Sequence, residues 1–339
     1  MKFLLNGYFG FDNAGDEAVL AAMLADLRAL KPDATFIATS GNAAQTTKNH
    51  GCEAIGRQNP RELFAAISNC DVFISGGGSL VQDVTSFRNV VYYTALLRLA
   101  KMMGKKTMVY AQGVGPLSAQ KSRKLARRAF QSADVLTVRD PDSAALLQEI
   151  GVSQKMEVTA DPVWNLAFSP QPKQPKTWGV ALRSWPHQDE SAIARIVGAL
   201  RGIANSQNAT LKFLAMQPGP DREILQGLTT AGEILETQGA HPSEIVGMCA
   251  SFDLMIAMRL HALIFAASAG VPVVAMNYDP KVASLATLLG APLLQSPSPS
   301  DLGNLPTLIS NAKSVAPEVL EEFRAKAKRN AELAISLVS

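Results

Sequence analysis

Two apolar segments in the second half constrain the fold of this chain more than any other feature. Residues 254–257 (LMIA) and 271–276 (VPVVAM) are hydrophobic almost without alternation. Uninterrupted runs of this kind are typical of parallel β-strands that are covered on both faces, because a half-exposed strand alternates. The apolar stretch between them has the composition of a buried helix. The sequence therefore predicts an α/β fold built on parallel sheets.

Two chemically useful side chains follow the first of these segments. Arg259 and His261 come directly after it, in MRLH. Ligands of open α/β sheets bind at the carboxyl ends of the strands. A guanidinium group fits a phosphate or carboxylate, and an imidazole exchanges a proton near neutral pH. A structural interpretation is also open: Arg259 as an ion-pair partner in the scaffold, and His261 as a helix-start residue bonded to backbone.

Glycine-rich turns follow three predicted strands of the first half, at residues 2–6, 70–75 and 107–111. Glycine permits backbone N–H groups to approach a ligand closely, although it also forms tight turns and hinges. Three successive strand ends of this kind would face one edge of one sheet. The candidate ligand contacts in these turns are Asp12, Asn13, Gly76, Gly77, Gly78 and Gln112.

The first of these turns resembles a phosphate-binding loop in spacing but not in chemistry. Asp16 and Glu17 occupy the positions where such a loop has Lys and Ser or Thr. Carboxylates there would repel a phosphate. Asp16 either caps a helix predicted from about Ala18 to Leu30, or has a functional role in binding sugar hydroxyls or as a general base.

Composition and spacing exclude several classes of function. A net charge of +3 over 339 residues does not indicate nucleic-acid binding, and basic and aromatic residues are not interleaved. Cys52, Cys70 and Cys249 are far apart in sequence, and we expect reduced, buried thiols and a cytoplasmic protein. No metal-ligand spacing and no G-x-S-x-G elbow occur, so we expect neither a metal nor a serine nucleophile. No apolar run reaches the length of a membrane span.

The order of predicted elements indicates two doubly wound, Rossmann-like domains that face a cleft. The proline-rich residues 169–176 (SPQPKQPK) are predicted to be a linker between an N-terminal domain, 1–168, and a C-terminal domain, 177–315. A C-terminal helix is predicted over 316–339. Arg183 follows the first strand of the second half and is the second candidate anion contact. The basic segment 118–132 is either a solvated helix face or a surface for anionic lipid headgroups.

Several segments, in this order along the chain, resemble the polysaccharide pyruvyl transferases, close to the CsaB group. They are GYFGFDNAGDEAVL, FISGGGSLVQD, QGVGPL, VRDPDSAALL, ADPVW and MRLHALIFAASAGVPVVAMNYDPK. The resemblance implies a GT-B-like fold and transfer of the pyruvyl group of phosphoenolpyruvate to a sugar, as a cyclic ketal, with release of phosphate. In the CsaB group the acceptor is an N-acetylmannosamine residue on a lipid-linked cell-wall polymer precursor, and the pyruvylated polymer anchors S-layer proteins.

The resemblance also implies roles for particular residues. Arg259, Leu260 and His261 match the arginine-leucine-histidine motif of the family, and Arg183 is the best match to a further arginine assigned to phosphoenolpyruvate. His261 would then be the acid and Asp16 the acceptor of a hydroxyl proton, with phosphoenolpyruvate as co-substrate and no other cofactor.

The expected partners are phosphoenolpyruvate and a lipid-linked glycan precursor at the inner face of the cell membrane, but no nucleic acid. Peripheral membrane contact and homo-oligomers stay open. Two other functions also stay open: a nucleotide-sugar glycosyltransferase of the same fold, and a non-catalytic sugar-binding module.

Overall fold

The chain folds into two compact units. The computed structural model describes residues 1–84, 86–173, 176–184, 191–226, 231–296 and 298–338. The first unit contains residues 1–11, 16–166 and 321–339, and the second contains residues 12–15 and 167–320. Each unit has its own parallel sheet, which confirms the predicted fold class. Parts of four predicted segments lie outside the described residues: 174–175 of the linker, Glu190 of a helix predicted from about Glu190 to Ala204, Leu228 of a helix predicted from about Asp221 to Leu228, and Ser339 of the C-terminal helix.

Within the described residues, the first unit contains a seven-stranded parallel sheet. Strands β1 to β7 are Lys2–Phe9, Thr35–Ser40, Glu53–Gly56, Val72–Gly76, Lys106–Gln112, Val135–Val138 and Met156–Val158. Their order is β3-β2-β1-β4-β5-β6-β7. The chain reverses direction across the sheet between β1 and β4, which makes their carboxyl ends a topological switch point. Because β1, β4 and β5 are neighbours, the three glycine turns do lie at one edge.

Helices cover both faces of this sheet. Helices α1 to α6 are Ala14–Leu30, Ala43–His50, Pro60–Asn69, Phe87–Met102, Gln120–Phe130 and Pro141–Glu149. The prediction that α1 begins near Ala18 and is capped by Asp16 is wrong. The helix begins at Ala14, because the Asn13 side-chain Oδ1 accepts a hydrogen bond of 3.1 Å from the Gly15 N–H. Asp16 lies in the first turn, where its charge complements the helix dipole.

The second unit contains a six-stranded parallel sheet within the described residues. Strands β8 to β13 are Thr177–Ala181, Thr210–Leu214, Glu233–Leu235, Leu254–Ala257, Val273–Met276 and Leu293–Leu294, in the order β10-β9-β8-β11-β12-β13. Helices α7 to α13 are Ala192–Ser206, Pro220–Gln226, Pro242–Ala250, Leu260–Ser268, Pro280–Leu289, Pro299–Leu302 and Leu305–Asn311. The switch point of this sheet lies between β8 and β11. The two apolar segments of the sequence contain β11 and β12, which are buried along their whole length.

The last helix, α14 (Pro317–Ser336), belongs mainly to the first unit. Its Phe323 ring stacks on Trp164 with centroids 4.7 Å apart. Its buried Asn330 accepts hydrogen bonds through Oδ1 from the hydroxyl groups of Thr137 and Thr159, at 2.6 and 2.8 Å. None of the described helices has the length and apolar composition needed to cross a membrane.

Candidate functional site

Arg259 lies at the switch point of the second unit, but one edge of its guanidinium group is already occupied. Its Nε donates to Asp221 Oδ2 at 3.1 Å, and its Nη2 donates to Asp221 Oδ1. Gln217 N also donates to Asp221 Oδ2, at 2.9 Å. Asp221 is fully buried and Arg259 is 9% exposed. The pair therefore serves the scaffold, as the structural interpretation of Arg259 expects, and its contact with a substrate stays a prediction.

His261 lies in the first turn of α10 and packs directly against the backbone of Gly15. A Cβ atom added at Gly15 would lie 2.1 Å from His261 Nδ1, so a side chain at this position has no room. The neighbouring Ala14 N–H donates to Met216 O at 2.8 Å, just beyond the end of β9. These contacts hold Ala14 and Gly15, the first two residues of α1, beside the ring. The residue is partly exposed although its Nε2 atom is buried, and its contact with a ligand stays a prediction.

Three other predicted contact residues take up different positions. Asn13 caps α1 through its side-chain oxygen. Asp12 is exposed and adopts a positive φ of 53°. Leu260 is buried as the first residue of α10. Of the three, Asp12 alone presents an exposed polar side chain. Because Leu260 is buried, its contribution to the motif is packing.

Two cations and a hydroxyl group lie close together near the end of β11. They belong to Arg183, Lys281 and Tyr278, which we call the cationic cluster. Arg183 follows β8, and its Nη1 donates to the Tyr278 hydroxyl at 3.2 Å. Its guanidinium carbon lies 5.1 Å from the centroid of the Tyr278 ring. Lys281 Nζ lies 5.9 Å from the same centroid and 3.3 Å from Asp279 Oδ2. Because β8 and β12 flank β11, these groups share the strand-end edge with Arg259 and His261.

In the first unit, Asp16 lies beside the triple glycine at the end of β4. A Cβ atom at Gly78 would lie 2.7 Å from Asp16 Oδ1, and one at Gly77 would lie 1.9 Å from Val19 Cγ1. Both glycines have positive φ angles, 67° and 75°. Gly76 is the last residue of β4, and a Cβ atom there would lie 2.9 Å from Tyr110 Cβ. The glycines are therefore required for the close approach of α1. The Gly77 N–H donates to Tyr110 O at 3.0 Å and is not available to an anion.

Gln112, the last residue of β5, is a fully buried polar side chain. Its Nε2 and Oε1 atoms form no hydrogen bond with any described residue. An unpaired buried polar group costs about 1–3 kcal/mol, so a ligand that pairs with this amide would be favoured. This placement agrees with a binding role for Gln112, which stays a prediction.

A buried arginine, Arg139, braces the turns at the same edge. Its Nη2 donates to Ser79 Oγ at 2.9 Å and its Nη1 to Asp161 Oδ2 at 3.3 Å. A Cβ atom at Gly113 would lie 2.7 Å from Arg139 Nη2. Since Ser79 and Asp161 come from turns far apart in sequence, Arg139 holds the loops around Gln112 in position.

Four aromatic rings surround Arg57, which follows β3. Its guanidinium carbon lies 5.7, 5.3, 4.5 and 5.5 Å from the ring centroids of Tyr8, Phe11, Tyr92 and Tyr93. The Tyr8 and Phe11 rings stack 4.3 Å apart. Burial raises the pKa of Tyr8, and the negative charge of Asp16 raises it further. The Arg57 cluster, defined by these five residues, is thus an electrostatic neighbour of Asp16.

Four residues of the two sites were not predicted from the sequence. Tyr278 and Lys281 follow a predicted strand in NYDPK, so the strand-end rule could have found them. Arg57 follows β3, whose four residues show no hydrophobic periodicity. Asp221 is separated from Arg259 by 38 residues, and no local pattern connects the two.

The two parallel sheets and their switch-point sites define an α/β protein of GT-B-like architecture. A putative UDP-N-acetylglucosamine 2-epimerase from Listeria monocytogenes is similar, with a TM-score of 0.66 at 13% identity, over 97% of this chain and 94% of that one. The UDP-GlcNAc 2-epimerase from Methanocaldococcus jannaschii has a TM-score of 0.63 at 11% identity, over 99% of both chains. A glycosyltransferase from Rickettsia africae has a TM-score of 0.54 at 12% identity, over 99% of this chain and 94% of that one. At these identities the similarity shows the fold alone.

The family follows from the sequence. A family model described as polysaccharide pyruvyl transferase matches residues 13–280, which is most of the chain. The chain therefore belongs to the polysaccharide pyruvyl transferase family, which supports a transferase. No curated protein matches it.

Proposed function

We propose that this protein transfers the pyruvyl group of phosphoenolpyruvate to a sugar and releases phosphate. The acceptor in this proposal is an N-acetylmannosamine residue on a lipid-linked cell-wall polymer precursor, and the product serves S-layer anchoring, as in the CsaB group. Family membership supports the reaction class. The observation that carries the proposal is that Arg183, His261 and Lys281 follow the neighbouring strands β8, β11 and β12 at one edge of the second sheet.

The donor side of the proposal rests on charge. Phosphoenolpyruvate carries a phosphate and a carboxylate, and the cations of Arg183 and Lys281 lie 5.1 and 5.9 Å from the centroid of the Tyr278 ring. The Arg259 guanidinium is fixed by Asp221 through Nε and Nη2, which leaves its Nη1 edge for the second anionic group. A fixed fork of this kind binds a carboxylate or phosphate without further loss of side-chain freedom.

The proposed chemistry requires one proton carrier at the donor. His261 delivers a proton to the methylene carbon, which becomes the methyl group, and C2 gains oxocarbenium character. A sugar hydroxyl adds to C2, the C2–O bond to phosphate breaks, and the neighbouring hydroxyl closes the ketal ring. The two hydroxyl protons balance the one gained by carbon and the one carried away by phosphate. Positioning and charge stabilisation supply most of the rate.

The acceptor side of the proposal rests on Asp16 and the Arg57 cluster. Stacked aromatic rings such as those of Tyr8 and Phe11 offer an apolar face to a sugar ring, while nearby polar groups fix its orientation. Asp16 is the acceptor of the hydroxyl proton, and the unpaired amide of Gln112 binds a sugar substituent. Asp12 and the glycine turns complete the set of proposed contacts.

The decisive experiment is to incubate the protein with phosphoenolpyruvate and soluble N-acetylmannosamine-containing acceptors. Release of phosphate together with a pyruvyl ketal on the acceptor, seen by mass spectrometry, is the expected result. His261→Ala should abolish both while the thermal unfolding transition is unchanged. Normal phosphate release by that variant would remove the proposed role of His261. Turnover of a nucleotide sugar instead of phosphoenolpyruvate would favour a glycosyltransferase.

A further inference from the structure

Helices α4 and α5 carry an excess of positive charge. Together they contain no Asp or Glu and eight basic residues: Arg88, Arg98, Lys101, Lys121, Arg123, Lys124, Arg127 and Arg128. The whole chain has a net charge of only +3, so its excess positive charge is concentrated here. The two helices follow β4 and β5, which are neighbours in the sheet, and pack against each other.

Most of this charge is not neutralised. Lys101 pairs with Asp134 at 2.5 Å and Arg123 pairs with Glu149 at 2.6 Å. The other six basic side chains are exposed, and none of them pairs with a carboxylate among the described residues. The nearby Asp83 carboxylate is occupied by the N–H groups of Ser118 and Ala119, at 2.9 Å each.

Exposed apolar side chains lie among these charges. Val84, just before α4, is 58% exposed, Val91 is 40% exposed and Met102 is 79% exposed. Lys121 Nζ lies 4.1 Å from the centroid of the Phe87 ring, which joins the beginning of α5 to the beginning of α4. A surface that combines unpaired cations with exposed aliphatic groups has the two features that bind a protein to an anionic lipid surface.

The position of this surface relates it to the site in the first unit. Because α4 and α5 follow parallel strands, their first turns lie at the carboxyl edge of the sheet. Gly78, Asp16 and Gln112 lie at that same edge. Asp83 ties the turn before α4 to the residues before α5, so the beginnings of both helices are held together there.

We propose that the exposed face of α4 and α5 docks on an anionic lipid bilayer. It brings the acceptor edge of the first unit to the surface where a lipid-linked saccharide is held; this link to the acceptor rests on the proposed function. Unpaired cations bind the headgroups, while Val84 and Val91 enter the interface. A nucleic acid would use the charges but would leave these aliphatic side chains in water.

The test is cosedimentation of the full-length protein with vesicles of phosphatidylglycerol and phosphatidylcholine, compared with phosphatidylcholine alone, at low and high ionic strength. We expect binding to the anionic vesicles only, weakened by salt. Arg88→Glu combined with Lys124→Glu should lower the affinity about tenfold or more. The matched control, Lys48→Glu with Arg61→Glu, makes the same charge change at exposed positions on α2 and α3 and should bind nearly as wild type does. The double substitution Val84→Ser/Val91→Ser should weaken the part of the vesicle binding that persists at high salt.

An equal loss of vesicle affinity in Arg88→Glu/Lys124→Glu and in the control Lys48→Glu/Arg61→Glu would overturn the docking surface. Equal binding of the wild-type protein to anionic and neutral vesicles would also overturn it. Retention by single-stranded DNA without vesicle binding would overturn it in favour of a nucleic-acid surface. Thermal unfolding of each variant shows that it is folded. Turnover of a soluble acceptor should be unchanged in Arg88→Glu/Lys124→Glu. Vesicle binding in the expected pattern without any phosphoenolpyruvate turnover would support the docking surface and refute the proposed function.

Discussion

At the scale of single residues, Asp221 decides what Arg259 can do. A buried guanidinium without a counterion would be strongly unfavourable, and the fully buried Asp221 removes that cost by a two-point contact. The same contact fixes the plane of the group. An arginine can therefore belong to the scaffold through one edge and offer the other edge to a ligand.

Asp221→Asn tests the scaffold part of this argument. It leaves Arg259 buried without a counter-charge, and we expect a loss of about 3–5 kcal/mol in the free energy of unfolding. Glu223→Gln is the matched control, because it makes the same chemical change at an exposed position of the same helix, α8. Denaturant unfolding measures both. Equal effects of the two substitutions would show that the pair is not stabilising.

Gly15→Ala tests the contact between the backbone and His261. The new methyl group would overlap the imidazole, so the ring must move. A displacement of about 1 Å from a productive geometry can cost a hundredfold in rate. We expect a large loss in the rate of phosphate release at saturating substrate. Gly202→Ala, inside α7 with open space around its Cβ position, should leave the rate unchanged. A wild-type rate for Gly15→Ala would mean that the position of His261 is not critical.

The three cysteines are free and buried, as expected from their spacing. Burial raises the pKa of both the Cys52 and the Cys70 thiol to about 11. Since the thiolate is the reactive form, we expect alkylation by iodoacetamide at pH 8 to be about 100-fold slower than for a free thiol. Mass spectrometry after timed quenching measures this. In denaturant all three should react, and rapid modification of the native protein would contradict the described burial.

At the scale of elements, prediction from sequence succeeded where the hydrophobic pattern is strong. Strands β11 and β12 form continuous apolar runs, and the ends of β4 and β5 were located to within one residue by their glycines. The predicted end of β1 at Asn6 is wrong, because the strand continues through Gly7 to Phe9. Short strands were missed because four half-exposed residues such as those of β3 carry no period. Arg57 directly follows β3 and was missed for the same reason. The aromatic side chains around that arginine come from two segments far apart in sequence, residues 8–11 and 92–93, so only the folded sheet shows that they meet.

Helix α14 shows a second limit of prediction from sequence. An amphipathic pattern predicts that one face of a helix is buried, but not which residues pack against that face. Asn330 on that face binds Thr137, Thr159 and the Ala160 carbonyl. Asn330→Ala leaves these buried groups without their partner, and we expect a loss of about 1–3 kcal/mol in stability. Lys328→Ala, on the exposed side of the helix, should change stability by less than about 0.5 kcal/mol. Thermal and denaturant unfolding would measure both, and similar values would argue against this anchoring role.

At the scale of the whole molecule, the chain uses the same topological device twice. Each sheet reverses its order once, between β1 and β4 in the first unit and between β8 and β11 in the second. The predicted residues gather at these two points: Asp16 and Gly78 at one, Arg183, Arg259 and His261 at the other. The strand-end rule located them correctly, but which atoms contact a substrate depends on side-chain partners that a sequence does not reveal.

The position of the cations at the second of these points predicts that the proposed donor stabilises the protein against thermal unfolding. Phosphoenolpyruvate that binds the cationic cluster of the native protein, and not the unfolded chain, should stabilise it by about 2.7 kcal/mol at a concentration of 100 times Kd. The midpoint of thermal unfolding should therefore rise with ligand concentration. Arg183→Ala removes the guanidinium beside Tyr278 and should abolish the shift, whereas Arg201→Ala on the exposed face of α7 should preserve it. Stabilisation by UDP but not by phosphoenolpyruvate would argue against a pyruvyl donor, because a nucleotide would then be the ligand that the strand ends of the second unit are built to hold.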